Sequence, residues 1–148
     1  MAKIDDIFEQ DIIAKLNTIT GVSVLDGFLV HYVKDLLNGT DGLSFPCIAA
    51  QLDNDTVDIA NDGTQGKIAR SVKVIGAVSV GEKSLVNRKL NDLVFNTRKA
   101  LYTDKFDKKA TQATSIKVGN VIYSLPEVTD QYAYFELNIL INYSETWK

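Results

Sequence analysis

Apolar residues recur at Ile4, Ile7, Phe8, Ile12, Leu16 and Ile19, a spacing of three and four that lines one face of a helix. Asp5, Asp6 and Glu9 fall in the first turn of that helix, where carboxylates complement the positive end of its dipole, and Gly21 ends it. From Val22 to Gly39 the pattern is mixed. Val22 and Val24 have strand character, and Phe28 to Leu37 fits a short helix or an extended piece. Phe45 to Leu52 reads as a strand entered through Pro46, a position where the missing N–H costs no ladder hydrogen bond. Asp53 to Gly66 is polar and acidic apart from Val57, Ile59 and Ala60. It reads as a long exposed loop, beyond the usual length of a connection in a compact domain, and so as a contact segment.

Residues 68–80 alternate, with Val72, Val74, Gly76, Val78 and Val80 on one side and Ser71, Lys73, Ile75, Ala77 and Ser79 on the other, which predicts a long strand with one apolar face. Helical spacing returns from Glu82 to Tyr102 through Val86, Leu90, Leu93, Val94, Thr97 and Leu101, with Lys83, Arg88, Lys89, Arg98 and Lys99 at the remaining positions. A charged loop follows at Lys105, Asp107, Lys108 and Lys109, and then Ser115 to Leu125, which reads as a hairpin turning at Gly119-Asn120. The last strand has the clearest pattern. Ala133, Phe135, Leu137, Ile139, Ile141 and Tyr143 line one face, opposed by Tyr132, Tyr134, Glu136, Asn138, Leu140 and Asn142. Tyr and Asn on the second face suit either an ordinary solvated sheet face or one that meets another subunit. This order predicts an α+β fold, a mostly antiparallel or mixed β-sheet with helices packed on one face, in a single domain over residues 1–148.

Composition narrows the function. The chain has 148 residues, 45% hydrophobic and 24% charged, enough for a core without a disulfide or metal staple. Cys47 and His31 stand alone, so neither an intramolecular disulfide nor a Cys- or His-paired zinc site can form. No run of about 18 apolar residues occurs, and the N-terminus lacks an apolar signal core. The expectation is a soluble protein of a reducing cytoplasm, with no membrane partner. The net charge of −3 conceals blocks: −8 over residues 1–66, +7 over 67–109 and −2 over 110–148. Blocks of this kind either form separate acidic and basic surfaces, suited to head-to-tail contacts or a polyanion, or interleave in space and cancel.

Reactive chemistry is hard to assemble from these residues. No Gly-rich turn leads into Lys-Ser/Thr at a helix start, and Gly76 and Gly81 do not form a dinucleotide fingerprint. Asp53, Asp55, Asp58 and Asp62-Gly63 invite comparison with a calcium loop. However, the third alternating ligand falls on Val57, the invariant glycine on Asp58 and the closing glutamate on Thr64. A solvated acidic segment fits better. His31 lies near Asp26 and Asp35 in sequence, yet no nucleophile elbow accompanies it. Cys47 follows proline in an apolar strand, the setting of an inert core thiol. We therefore expect no catalytic residue, no cofactor and no metal. The basic block could bring Lys67, Arg70, Lys73, Lys105, Lys108 and Lys109 near a phosphate backbone, but it lacks interleaved aromatics and helix-turn-helix spacing, so specific nucleic-acid recognition is not expected.

The order and spacing of these elements resembles the tail terminator, or tail completion, proteins of tailed bacteriophages. The resemblance is carried by the helix Ile4 to Ile19, the strand Phe45-Pro46-Cys47-Ile48-Ala49 with the polar segment after it, and the strand Ser71 to Val80 leading into the helix Glu82 to Leu101. A hairpin followed by the closing strand Ala133 to Tyr143 completes it. It implies a small structural subunit of the virion that forms a hexameric ring on the tail tube, stops tube polymerisation and presents a surface to the head-side connector or stopper protein, assembled in the host cytoplasm. On that reading Asp53, Asp55, Asp58, Asp62, Lys105, Lys108, Lys109, Tyr132, Tyr134 and Asn138 are candidate subunit or tube contacts. Lys67, Arg70 and Lys73 are candidates for a basic lumen that passing DNA would meet. Two alternatives stay open: a head-completion protein or another tail or neck component, and a small ligand-binding domain or enzyme, which would need a concave apolar pocket with convergent polar groups.

Overall fold

The computed structural model describes residues 9–26, 46–79, 85–103, 115–124 and 132–147. Helix α1 is a π turn, Glu9–Ile13, running into the α-helical turn Ala14–Leu16, and it buries Ile12, Ile13 and Leu16. It stops at Leu16, short of the predicted Ile19, because the backbone tightens. The amides of Thr18 and Ile19 donate three residues back, to the carbonyls of Lys15 and Leu16 at 3.1 Å each, and the Thr18 hydroxyl donates to the same Lys15 carbonyl at 2.6 Å. Gly21, at φ +76°, turns the chain toward the sheet. Ile4, Asp5, Asp6, Ile7 and Phe8 lie outside the described residues, as does the segment Phe28 to Leu37.

Among the described residues five strands follow: β1 (Ser23–Asp26), β2 (Cys47–Ile59), β3 (Gln65–Ser79), β4 (Ser115–Ser124) and β5 (Tyr132–Thr146), with helix α2 (Val86–Thr103) between β3 and β4. Their order across the sheet is β1-β2-β3-β5-β4. Only β1–β2 is parallel; β2–β3, β3–β5 and β4–β5 are antiparallel. The sheet is thus mixed. The strand character expected at Val22 and Val24 resolves as β1, which takes in Val24 but begins at Ser23, and is held beside β2 by the Ser23 amide donating to the Pro46 carbonyl at 3.1 Å.

The predicted apolar positions build the core. Val86, Leu90, Leu93, Val94, Thr97 and Leu101 of α2 are all buried, as are Ala133, Phe135, Leu137, Ile139, Ile141 and Tyr143 of β5. They join Val72, Val74 and Val78 of β3, Ile48 and Ala50 of β2, and Ile12 and Leu16 of α1 in one cluster, so both helices pack on one face of the sheet. This is the α+β architecture that the periodicity predicts. Gly76 lies beneath the Phe135 ring and Leu93, where a Cβ would collide with the ring. The opposite face of the central strands is also partly closed, since Cys47, Ala49, Ile75 and Ala77 are buried.

Two predicted elements differ. The segment Asp53 to Gly66 is not a loop: β2 continues to Ile59, a tight turn spans Ala60–Thr64, and β3 begins at Gln65. A ladder to β3 compensates the poor strand propensity of Asp and Asn, pairing Asn54 with Ser71, Asp55 with Arg70, Thr56 with Ala69, Val57 with Ile68 and Asp58 with Lys67. Gly63, at φ +70°, supplies the left-handed residue of the turn. Likewise the described part of the predicted hairpin, Ser115–Ser124, is not a hairpin. Ser115–Ser124 is one strand paired to β5 throughout, and Gly119-Asn120 is a bulge between Val118, opposite Ile139, and Val121, opposite Leu137. Gly119 suits the bulge because a Cβ would come within 3.0 Å of the Asn138 carbonyl oxygen.

Candidate assembly surface

The bulge in β2 decides where its acidic residues point. Leu52 pairs with Val72 and Asn54 with Ser71, leaving Asp53 as the extra residue. Before the bulge Ile48, Ala50 and Leu52 share the helix-covered face; after it Asp55, Val57 and Ile59 do. Asp53 is bound through the Ser71 hydroxyl, which donates to its carboxylate at 3.3 Å. Asp55 sits opposite Arg70, whose Nε and Nη2 donate to its two carboxylate oxygens at 2.8 Å each. That hydrogen bonding holds the Asp55 carboxyl below its ordinary pKa and outweighs partial burial. Asp58 is exposed on the other face, opposite Lys67. Asp62 caps the turn, accepting the Thr64 amide at 3.1 Å, which lowers its pKa.

The basic candidates do not form one surface. Arg70 is buried on the helix-covered face at 3% exposure, with its guanidinium carbon 5.5 Å from the centroid of the Tyr143 ring. Lys67 and Lys73 point to the opposite face, where Lys73 lies 3.4 Å from a Glu136 carboxylate oxygen. Here the acidic and basic sequence blocks interleave and cancel. Tyr134 and Asn138 share that opposite face, Tyr134 exposed and Asn138 half-buried. Tyr132 pairs with Ser79 at the end of β5. Lys105, Lys108 and Lys109 lie outside the described residues, as does His31.

Sequence reasoning missed a cluster at the far end of β5. Tyr143, Glu145 and Trp147 alternate onto the helix-covered side, and Glu145 accepts from the Tyr143 hydroxyl and from the Trp147 indole N–H at 2.9 Å each. Burial, with the Glu145 hydrogen bond second, raises the Tyr143 pKa, and the neighbouring Arg70 opposes that rise only in part. Gly66 leaves room for the indole, since a Cβ there would stand 2.6 Å from it. The i, i+2, i+4 spacing was the available signal, but its glycine partner lay in the supposed loop. Around this cluster Leu52, Val57, Ile59 and Trp147 remain exposed, each at 44% or more. A chain of hydrogen bonds and ion pairs thus underlies a rim of exposed aliphatic and indole surface.

Elsewhere the described residues offer less. A cleft of about 320 Å³ beside α2 is lined by Thr20, Val22, Pro46, Val78 and Leu93 with Lys89 and a single carboxylate, Asp92. Cys47 is buried, and desolvation pushes its thiol up to about 11. Among the described residues no three His, Cys, Asp or Glu side chains are grouped to hold a metal ion, and no helix is long and apolar enough to cross a membrane. Compared with known proteins, the chain matches no protein-family model and no curated sequence.

Proposed function

We propose that this chain is a structural virion protein of a tailed bacteriophage. In this role it assembles as a homo-oligomeric ring, a hexamer, that caps the tail tube, ends tube polymerisation and offers a joining surface to the head-side connector or stopper protein. The role is non-enzymatic. It needs neither cofactor nor metal, and DNA passes through the ring without sequence recognition. The resemblance to tail terminators supports this reading, and a mixed sheet with helices on one face is compatible with it. The observation that carries it is the exposed half of β2, Leu52 to Ile59, where the exposed aliphatic side chains of Leu52, Val57 and Ile59 lie among Asp53, Asp55 and Asp58 along a strand edge. That is a surface for protein contacts rather than for chemistry.

The test is tube growth. Purified chain is imaged by negative stain, weighed in solution, and added to polymerising tail tube protein. A ring of six copies that arrests tubes at one end is the expected result. Tubes that grow unchecked beside a monomeric chain contradict the reading. Binding to the head-side connector without any effect on tube length would transfer the chain to the head-completion class.

A further inference from the structure

The sheet has two open edges among the described residues. β1 pairs with β2 only over Cys47–Ala50, so the outer side of β2 from Gln51 to Ile59 has no described partner, and neither has the outer side of β4. Long exposed edges are ordinarily blunted, and bare ones recruit other strands. The two edges differ in charge: Gln51 to Ile59 carries three aspartates and no base, whereas Ser115 to Ser124 carries one lysine and no acid. Asp55 is already paired with Arg70, but Asp53 and Asp58 leave the β2 edge acidic, so two β2 edges repel and a β2 edge attracts a β4 edge.

The strand directions are compatible. β2 runs antiparallel to β3, β3 to β5 and β5 to β4, so β2 and β4 of one chain are antiparallel to each other. A second copy set beside the first, with its sheet facing the same way, therefore brings its β4 antiparallel against β2. β1 blocks the edge at Ala50, and clearing it requires a shift of about four residues, roughly 13 Å, toward the β2–β3 turn. From the observed registers that shift brings Lys117 opposite Asp58, Val118 opposite Val57 and Ile116 opposite Ile59. Charge meets charge on one face and aliphatic meets aliphatic on the other, and an even shift preserves this matching.

We infer that neighbouring copies join through an antiparallel β2–β4 ladder in this register, a head-to-tail contact that continues the sheet from subunit to subunit and closes as a ring. The inference rests on the proposed ring only in requiring that copies meet side by side. The test is disulfide trapping of single-cysteine additions, with the buried Cys47 left in place. An equimolar mixture of Asp58→Cys and Lys117→Cys chains should give a covalent dimer on mild oxidation. A mixture of Val57→Cys and Lys117→Cys, whose side chains point to opposite faces, should give none. Independently, Asp58→Lys should weaken self-association about tenfold, and Asp58→Lys with Lys117→Asp should restore it. Rings of normal mass with no trapped dimer and no charge-swap rescue overturn the β2–β4 ladder while leaving the ring reading intact. A chain that stays monomeric at every concentration, gives no trapped dimer with or without tail tubes, and leaves tube growth unchecked overturns both.

Discussion

Arg70 and Asp55 face each other across β2 and β3 in a two-pronged ion pair, both bonds 2.8 Å, with Arg70 buried against the Tyr143 ring and the Asp55 side chain about one-third exposed. The bulge at Asp53 is what turns Asp55 toward the arginine. Asp55→Ala strands a buried guanidinium. The expected loss is about 2 kcal/mol, a charged hydrogen-bond pair discounted for the exposure of Asp55. Asp55→Ala combined with Arg70→Met should recover part of it in urea unfolding, because no charge is then left buried.

The same pair sets an acid dependence. The Asp55 pKa is lowered in the fold, so its contribution is complete above the ordinary carboxylate range and is lost as pH falls from that range through the lower folded value. The Arg70 pKa is raised, chiefly by the same Asp55 hydrogen bond, and the guanidinium keeps its charge throughout this window, so Arg70 adds no pH dependence of its own there. Stability measured from pH 5 to pH 2 should fall less steeply in Asp55→Asn than in the parent chain. Parallel slopes would exclude Asp55 as a source of the acid lability.

What was legible in the sequence was what repeats. The 3.6-residue rhythm of Val86 to Leu101 and the two-residue rhythms of Val72 to Val78 and Ala133 to Tyr143 mark the buried face because burial itself imposes those periods. The outer half of β2 was illegible for the same reason. Asp53 to Ile59 is exposed, so its residues carry no burial rhythm, and its strand state comes from the ladder to β3. Gly119-Asn120 misled in the opposite sense: a dipeptide that favours a turn sits in a bulge because β5 pairs on both sides of it. The candidate contacts Asp53, Asp55 and Asp58 read as a loop and lie on a strand edge, while Lys67, Arg70 and Lys73 read as one basic surface and divide, Arg70 on one face and the two lysines on the other.

Gly76→Ala tests the packing of α2 on the sheet. An added methyl would run into the Phe135 ring, with Leu93 at 3.1 Å, and both are buried in the core. Overpacking of this kind costs about 1–3 kcal/mol. The midpoint of urea denaturation should drop with the m-value unchanged, and Gly76→Ala with Phe135→Leu should regain part of the loss. An unaltered midpoint would mean that the ring and Gly76 are not in contact.

Cys47 should report global opening. With its pKa raised to about 11, about one thiol in a thousand is ionised at pH 8, and the side chain is buried besides. Alkylation of the native chain should run at least about a hundredfold slower than in denaturant. Because Cys47 is the only cysteine, a single rate is read. Fast native labelling would mean that the β1–β2 end of the sheet opens independently of the rest.

Asp11 and Lys15 form a pair buried on both sides, 3.5 Å apart one helical turn from each other, at 0% and 2% side-chain exposure. Removing one charge leaves the other in the core. Lys15→Met is expected to cost about 3 kcal/mol, and Asp11→Leu with Lys15→Met less than that single change, since a buried pair replaced by apolar groups often costs little. Thermal melts of the three chains decide it. A double variant as unstable as the Lys15→Met chain would show that Asp11 is held chiefly by groups other than Lys15.

Lys105, Lys108 and Lys109 carry the last test, of contacts beyond the strand edges. On β3, Arg70 is bound to Asp55 and Lys73 lies beside Glu136, so acidic partners already engage these two members of the basic block. Reversing all three lysines to Glu changes the charge of the chain by −6 on the proposed contact loop and adds repulsion against any acidic surface of a neighbour. Ring or tube assembly of the triple variant should weaken at least about tenfold at low salt, and the deficit should shrink as ionic strength shortens the reach of the charges. Sedimentation of the parent and the triple variant across a salt series separates the outcomes. Equal assembly at low salt removes the loop from the contact surface and leaves the β2 edge as the surface that remains.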